Sequence, residues 1–421
     1  MKKLFIIFLG ALLCSPAFSQ SEENGLTIGA QIRPRAEYRN GALSPLGEND
    51  DPVSLINNRA RLSMEYKRSN LSLGFSAQQV GVWGQASGIE LDGVAMVNEA
   101  WANFAPVEGL FFKIGRQALS YDDDRLLGTL DWHVSGRYHD AFKMGYEDAQ
   151  NKLHFILAYN QNGDKLGAGK GGNFYNGGQA YKTMQTLWYQ IIADKSFNAS
   201  FLLMNIGRQA GNAAEPAVKN MQTFGTNLSY QANGVQLYGT FYFQTGKTLG
   251  SQDISAYMWA LNASYSFNPA FKISLASDYL SGNDGKDADK YKAFDVLYGT
   301  HHKFYGTMDY YYPNFTRGLW DNQLGLTFRA SPKVTLGLNY HNFQTTTDVA
   351  VEQDTKKGLG SEIDFQLTWN IMKDVTMVGG YSAMFGSDAM KVVKGVADAK
   401  GRQDWVWVSL NINPKLLITK W

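Results

Sequence analysis

The stretch Leu26–Arg39 reads LTIGAQIRPRAEYR and alternates apolar and polar side chains along most of its length. Its even positions are largely apolar, whereas its odd positions are polar or charged and include Arg33, Arg35 and Arg39. Successive side chains of a β-strand point to opposite faces of its sheet. The stretch therefore predicts a strand with one apolar face and one strongly charged face.

The same alternation recurs along the rest of the chain. The segment 59–67 repeats it, with Arg59 and Arg61 on the charged face. Helical periodicity of useful length is missing, and beyond the first residues no apolar stretch approaches the length of a spanning helix. The pattern predicts eighteen strands, near 26–39, 59–67, 70–80, 97–105, 110–117, 139–147, 152–161, 183–193, 197–207, 221–231, 234–245, 255–267, 270–281, 319–330, 333–344, 360–370, 374–385 and 404–413.

The connections between these segments alternate between short and long ones. Eight short connections carry turn residues, at 68–70, 106–109, 148–151, 194–195, 231–234, 268–269, 331–332 and 372–374. Nine longer links, rich in Gly, Asp and Asn, lie between them. A soluble β-sandwich or propeller also alternates, but it needs neither such long strands nor turns sorted by length. The sequence therefore predicts an all-β fold: a transmembrane antiparallel β-barrel of about 18 strands, with short periplasmic turns and long extracellular loops.

The N-terminus has the features of a secretory signal. A basic start precedes the apolar run Leu4–Leu13, and a small-x-small pattern ends at Ser19. A membrane anchor is the alternative, but the apolar run is too short to cross about 30 Å of hydrocarbon. The sequence predicts a signal peptide at 1–19 and a single outer-membrane β-barrel domain at 20–421.

Composition excludes several classes of function. Cys14 is the only cysteine and precedes the predicted cleavage site, which rules out disulfides, thiol catalysis and thiolate metal sites in the mature chain. Basic and acidic residues are balanced at 39 and 38, so no overall field attracts nucleic acid. The six histidines and the absence of a Gly-x-Ser-x-Gly motif give no nucleophile–base pair. Neither an enzyme nor a cofactor is predicted.

Metal sites are conceivable but disfavoured. His301 and His302 have aspartates nearby in sequence, yet adjacent histidines on a strand point apart and no third ligand has fitting spacing. The acidic stretches Asn283–Asp289 and Asp122–Asp124 could bind calcium in a loop, but the first lacks the spacing of an EF-hand and its bidentate glutamate. Solvated turns are the favoured interpretation of both stretches.

The charged faces of the strands are expected to line the lumen. An eighteen-stranded barrel is wide enough for an aqueous channel unless its loops fill it. The first two strands then place five arginines on adjacent interior walls, here called the arginine wall: Arg33, Arg35, Arg39, Arg59 and Arg61.

Further cations are expected along the same solute pathway. Lys143, together with Lys67 and Lys113, extends the arginine wall, and Arg116 and Arg125 follow at the outer end of the fifth strand. Guanidinium groups stay charged and bind carboxylates with forked hydrogen bonds. Repeated weak sites recruit an anionic chain and also release it, so the sequence predicts an anion-selective channel. The alternative is structural bracing, in which arginines and acids cross-link neighbouring strands.

The longest link, 282–318, is rich in aromatic residues. They are Tyr291, Phe294, Tyr298, Phe304, Tyr305, Tyr310, Tyr311, Tyr312 and Phe315. Long ordered loops usually carry function. Folding inward, where the loop would constrict the mouth, is the favoured prediction; an outward surface loop is the alternative.

Several stretches resemble the alginate export family of outer-membrane proteins. The most specific, Gly115–Gly128 (GRQALSYDDDRLLG), is similar to the family's G-R-Q-x-L-x-Y strand-to-loop motif and its acidic-x-Arg-Leu continuation. It departs from the family at Asp122, where a small residue is usual. Phe294–Gly306 is similar to a loop signature in one branch of the family, and Leu359–Asp364 and the closing 405–414 also match.

This resemblance implies passive export or diffusion of an anionic, uronate-like polysaccharide. A general porin for small anionic solutes or oligosaccharides is the alternative function. The expected partners are that solute, outer-membrane lipid and periplasmic export proteins on other chains, and nucleic acid is not expected. No helical periplasmic domain is evident in the sequence.

The C-terminus carries one irregular residue. Pro414 interrupts the last alternating segment, and proline cannot donate a hydrogen bond to a sheet. The last strand is expected to end near Asn413, followed by a short tail that ends with Trp421. The alternative is a strand that continues past an irregularity at Pro414.

Overall fold

A computed structural model describes residues 24–85, 95–163, 171–312 and 315–421. The predicted signal peptide at 1–19 lies outside these residues. Eighteen strands form one closed antiparallel barrel, which confirms the predicted fold. They are β1 Gly25–Asn40, β2 Val53–Arg68, β3 Leu71–Val82, β4 Ala95–Val107, β5 Leu110–Gln117, β6 His139–Glu147, β7 Asn151–Tyr159, β8 Thr183–Ile192, β9 Phe197–Gly211, β10 Pro216–Ala232, β11 Val235–Lys247, β12 Asp253–Asn268, β13 Phe271–Leu280, β14 Leu319–Ser331, β15 Val334–Val351, β16 Asp354–Met372, β17 Val375–Gly386 and β18 Arg402–Ile412, which resumes at Lys415–Lys420.

Three minor elements lie in the outer connections. The two-residue strand Lys290–Tyr291 pairs in parallel with β12. A 3-10 turn spans His301–Lys303, and helix α1 spans Asp388–Lys394. None of the helices described is long and apolar enough to cross a membrane.

Closure of the barrel depends on the segment around Pro414. β1 pairs with Arg402–Ile412 along its outer half and with Lys415–Lys420 along its inner half. The register shifts between Ile28 and Gly29, where the Ala30 amide donates to the Pro414 carbonyl at 3.1 Å. The prediction that the last strand ends near Asn413 was therefore wrong. A bulge absorbs the missing proline N–H, and the strand continues to the inner rim.

Three of the links predicted to be long are tight turns. The connections after β9, β11 and β15 span only 212–215, 248–252 and 352–353. The strands on either side are longer than the period-two signal indicated. The longest of them, β16, has 19 residues. About ten residues suffice to cross the hydrocarbon, so these hairpins project beyond the membrane.

The outer face of the barrel is apolar at the level of the lipid. Leu62, Ile114, Leu261 and Leu275 are each more than half exposed and lie on the face opposite the charged side chains. A closed barrel pairs all ladder groups internally, so this surface can meet hydrocarbon without unpaired backbone groups. The charged faces are directed inward, as the alternation predicts.

Two connections fold into the barrel and build its core. We call them loop 3 (118–138, between β5 and β6) and loop 7 (281–318, between β13 and β14). Their buried apolar side chains pack with the inner faces of the strands. They include Leu119, Tyr121, Leu126 and Leu127 of loop 3, and Phe294, Val296, Tyr298, Tyr305, Tyr310 and Tyr311 of loop 7. Inward folding of loop 7 is thereby confirmed.

Candidate channel site

The two inward loops are joined to each other by their backbones. The Gly128 amide donates to the Tyr298 carbonyl at 3.0 Å, and the Tyr298 amide donates to the Leu126 carbonyl at 2.9 Å. A Cβ on Gly299 would lie 2.1 Å from the Arg125 carbonyl oxygen, so only glycine permits this approach. The two sequence motifs that resembled the family therefore form one paired unit inside the barrel.

The strand-to-loop motif anchors loop 3 to the barrel wall. The Gln117 side-chain amide donates to the carbonyls of Gly115 and Ala141. The Tyr121 hydroxyl lies 2.9 Å from His154 Nδ1 on β7. Both contacts join the start of the loop to neighbouring strands, so this part of the motif acts as an anchor.

Asp122, which departs from the family motif, provides a further anchor. Its carboxylate accepts hydrogen bonds from Trp188 Nε1 at 3.2 Å and from the Ser200 hydroxyl at 2.5 Å. Its backbone is left-handed, at φ 56°. Burial raises the pKa of this carboxyl, and the two donors partly counter that rise. The loop therefore turns inward on an aspartate that two wall residues hold.

The Arg125 side chain is buried in the core of the protein. Its guanidinium forms ion pairs with Asp123 at 2.7 Å and with Asp278 of β13 at 2.9 Å, and it lies over the Phe304 ring. Its side chain is only 6% exposed. The prediction that Arg125 lines the solute pathway was wrong, because the cation is enclosed by loop 3, loop 7 and the wall.

Arg116 lies on the opposite face from the lumen. It is two residues from Ile114, which is 54% exposed on the lipid face. Its guanidinium makes a two-pronged ion pair with Asp140 of β6, and it lies over the Tyr138 ring. The prediction that Arg116 faces the lumen was therefore wrong, because its side chain lies on the outer face of the strand.

The arginine wall lies on the inner face of β1 and β2, next to the tip of loop 3. Arg59 is 1% exposed and donates to Gln31 Oε1 at 2.8 Å and to Asp131 Oδ1 at 2.7 Å. Arg33 donates to Asp131 Oδ2 at 3.2 Å and to the His133 carbonyl at 3.1 Å. Asp131 thus bridges the two arginines while its own side chain stays 57% exposed.

A second carboxylate, that of Glu37, pairs with the outer arginines of the wall. Glu37 is fully buried and accepts hydrogen bonds from Arg35 and Arg39, each at 2.9 Å. Arg35 also donates to the Trp132 carbonyl at 3.0 Å and lies 4.2 Å from the centre of its ring. Trp132 stacks on His302 with ring centroids 4.0 Å apart, which joins loop 3 to loop 7 at the wall.

Arg61 has no ion pair among the described residues. Its guanidinium donates twice to Gln78 Oε1, at 2.9 and 2.6 Å. Beside it a cavity of about 560 Å³ opens toward the short-turn end of the barrel, here called the vestibule. Its lining includes the charged residues Arg59, Arg61, Glu65, Glu99, Asp131 and Lys415 and the aromatic Trp101. Four of the five wall arginines therefore share two carboxylates, Glu37 and Asp131.

Lys143 lies on the inner face, as predicted. It is paired in the sheet with Ile156, which is fully buried, and with Lys113 on the other side. Its ammonium lies 5.3 Å from the centre of the Phe111 ring. The lysines are separated from the five arginines by β3 and β4, so they form a distinct group.

The residues weighed as metal ligands have other partners. His302 Nδ1 lies 2.8 Å from Asp309, and His301 Nε2 donates to the Val296 carbonyl. Asp284 and Asp287 accept backbone amides of their own turns. Across the part of the chain that the structure describes, no group of three or more His, Cys, Asp or Glu residues is arranged to hold a metal ion.

The sequence reading missed the loop residues that complete the wall. Asp131 and Trp132 contact arginines about a hundred residues away in the chain. No local period or motif marks them, since loop 3 has no alternation to exploit. Trp101 was missed as well, because β4 carries a bulge that shifts its faces.

Comparison with known proteins was made at the levels of sequence and fold. A family model described as alginate export matches residues 25–399. A search of the curated proteins gave no match. Similar solved structures include two from Pseudomonas aeruginosa: OpdO (11% identity, TM-score 0.63, covering 93% of this chain and 98% of that one) and OccK9, also called OpdG (12%, 0.62, 93% and 98%). The outer membrane protein OprD of the same organism is similar at 12% identity and a TM-score of 0.60, over 95% and 96% of the two chains.

Proposed function

This chain belongs to the alginate export family, and we propose that it is a passive outer-membrane channel for an anionic, uronate-like polysaccharide. The solute would diffuse or be exported along the lumen past the arginine wall. The channel has no energy source of its own, so direction follows the solute gradient or a periplasmic partner. Any export machinery then lies on other chains.

The observation that carries the proposal is the excess of guanidinium groups in the wall. Four of the five arginines share the carboxylates of Glu37 and Asp131, and the fifth, Arg61 beside the vestibule, is bonded to Gln78. Guanidinium groups bind carboxylates in a forked geometry. Because neighbouring acids and amides already occupy part of each fork, a passing carboxylate would be held weakly and released.

A second candidate is a general porin for small anions or oligosaccharides. It is favoured by the two inward loops, which fill much of the barrel and leave a vestibule of about 560 Å³ beside the wall. Such a volume suits a few sugar units better than a wide polymer path. The two candidates share the cationic wall and differ in the length of the solute.

Block of single-channel current in planar bilayers tests the proposal. We expect galacturonate oligomers to interrupt the current at lower concentration than neutral maltose-series oligomers of the same length. Long uronate oligomers should block better than single units if a polymer is the solute. Equal block by neutral and charged sugars would contradict the anionic solute that we propose and would leave only a porin for oligosaccharides irrespective of charge.

Processing of the precursor is part of the proposal. We expect cleavage before Gln20, which would remove the apolar run and leave one barrel domain from 20 to 421. N-terminal sequencing of the protein from outer membranes would show this end. A mature chain that retains Lys2 and Lys3 would contradict it.

A further inference from the structure

We infer that Lys113 and Lys143, with the ring of Trp101, form a separate carboxylate-binding site at the short-turn side of the arginine wall. We call it the vestibule lysine pair. The inference rests on the proposed anionic solute and deepens it, because it states where a uronate carboxylate first binds. The arginine wall is then the second binding site along the pathway.

The two lysines are placed side by side by the strand register. Lys113 of β5 lies directly opposite Lys143 of β6. Their strand neighbours Ile114 and Met144 are exposed on the lipid face, so both lysines are directed inward. Like charges directly opposite each other in a sheet destabilise it. A solute carboxylate bound between the two ammonium groups would remove this repulsion.

Neither lysine has a carboxylate within ion-pair distance among the described residues. Each instead lies over an aromatic ring: Lys113 Nζ is 3.7 Å from the centre of the Trp101 ring, and Lys143 Nζ is 5.3 Å from that of Phe111. Four of the five wall arginines, in contrast, have an acidic partner. Since ring contacts leave ammonium donors unused, the lysine pair is the more available cationic group.

The aromatic rings lie flat against the wall of the barrel. A Cβ on Gly74 would lie 2.2 Å from Trp101, and one on Gly145 would lie 2.2 Å from Phe111. Both glycines therefore make room for a ring that covers the neighbouring strand. Trp101 is held in place by its Nε1, which donates to Glu99 at 2.8 Å. A flat ring beneath an ammonium fixes its position without using its hydrogen-bond donors, which stay available for a carboxylate.

The pair lies near the short-turn end of the barrel, where a periplasmic solute would enter. Lys113 is three residues from Leu110, where β5 begins, which is about 10 Å along a strand. Trp101 and Glu99 line the vestibule together with Arg59 and Arg61. The acid Glu99 near the lysines limits affinity, so the carboxylate can move on toward Arg61.

The test compares charge-neutral variants with a matched control. In Lys113→Gln/Lys143→Gln, we expect block by galacturonate oligomers, added on the short-turn side, to weaken about tenfold or more, since one charge-assisted hydrogen bond contributes about that factor. The control Lys272→Gln/Lys333→Gln removes the same amount of charge from elsewhere at the short-turn end. The oligomers should block this control channel as strongly as the wild-type channel. Lys113→Arg/Lys143→Arg should retain the block. The single variants replace the double one if it does not assemble.

The outcomes separate this inference from the proposed function. If the wild-type channel is blocked by uronates and the glutamine variant is blocked equally well, the lysine site is wrong while the proposed function stands. Equal weakening in the control pair, or loss of block in the arginine variant, would also overturn the site. A wild-type channel that uronates do not block would contradict the proposed function itself.

Discussion

Asp131 occupies the position that a solute carboxylate would take on the arginine wall. It bridges Arg33 and Arg59 from the tip of loop 3, and its side chain is more than half exposed although Arg59 is buried. Removing its charge should therefore strengthen the positive field without removing any cation.

The variant Asp131→Asn should raise the ratio of anion to cation permeability. A unit charge a few ångströms from a passing ion contributes on the order of 1 kcal/mol after screening, which corresponds to roughly two- to fivefold. The ratio is measured from the reversal potential in a salt gradient. Asp253→Asn, which removes an exposed carboxylate paired with Lys247, is the control and should leave the ratio unchanged. A lower ratio in Asp131→Asn would contradict this role.

We expect His301 to make the docking of loop 7 sensitive to acid. Its ring is 1% exposed, and burial lowers its pKa to about 3 from 6.5. Between these values the undocked loop binds more protons than the docked loop. The stabilisation of docking is therefore complete above pH 6.5 and is lost as the pH falls toward 3, by roughly 2 kcal/mol at about pH 5.

Hydrogen exchange of loop 7 measures this effect. Protection of its backbone amides should decrease between about pH 7.5 and pH 5, after correction for intrinsic exchange rates. His301→Gln keeps a donor for the Val296 carbonyl but does not titrate, so its protection should depend less on pH. Identical pH profiles for the two proteins would exclude His301 as the titrating group.

At the scale of elements, we expect loops 3 and 7 to limit the width of the channel. Their backbones pair at Gly128 and Tyr298, and Trp132 stacks on His302 beside the wall. Replacing 302–311 by a short Gly-Ser linker should raise single-channel conductance, because it removes ring and backbone contacts from the lumen. Deleting 286–289, an exposed part of the same loop, should leave conductance unchanged. Equal conductance in both variants would place the constriction elsewhere.

The strands could be predicted from the sequence because each of them must present one face to lipid and one to water. That requirement imposes the period of two seen at Leu26–Arg39, and the short turns fix where it restarts. Pro414 was misjudged because a bulge at Leu416 lets the last strand resume its pairing with β1, which is distant in sequence. The outer hairpins were misjudged because above the membrane no lipid enforces alternation.

The site was less predictable than the barrel. The wall arginines follow from the alternation, and all five lie on the inner face. Arg116 and Arg125 were misplaced because a loop motif carries no face information, and their partners Asp140 and Asp278 are set by tertiary contacts. Asp131 had no signal at all, since only the folding of loop 3 brings it to the wall.

At the scale of the whole molecule, the barrel has an uneven charge distribution inside a nearly neutral chain. Basic and acidic residues number 39 and 38, yet β1 and β2 place five arginines on one side of the lumen. Much of the remaining lumen is filled by the core that loops 3 and 7 form with β6 to β18. We therefore expect passing ions to follow the cationic side.

The central claim, that this lumen conducts anions in preference to cations, is tested most directly by the reversal potential of single channels in a KCl gradient. Potassium and chloride have similar mobilities in water, so the sign of the potential reports the field of the pore. We expect a reversal potential between zero and the chloride equilibrium potential. Its magnitude should decrease when Arg33 and Arg61 are replaced by glutamine. A potential on the potassium side for the wild-type channel would contradict the account.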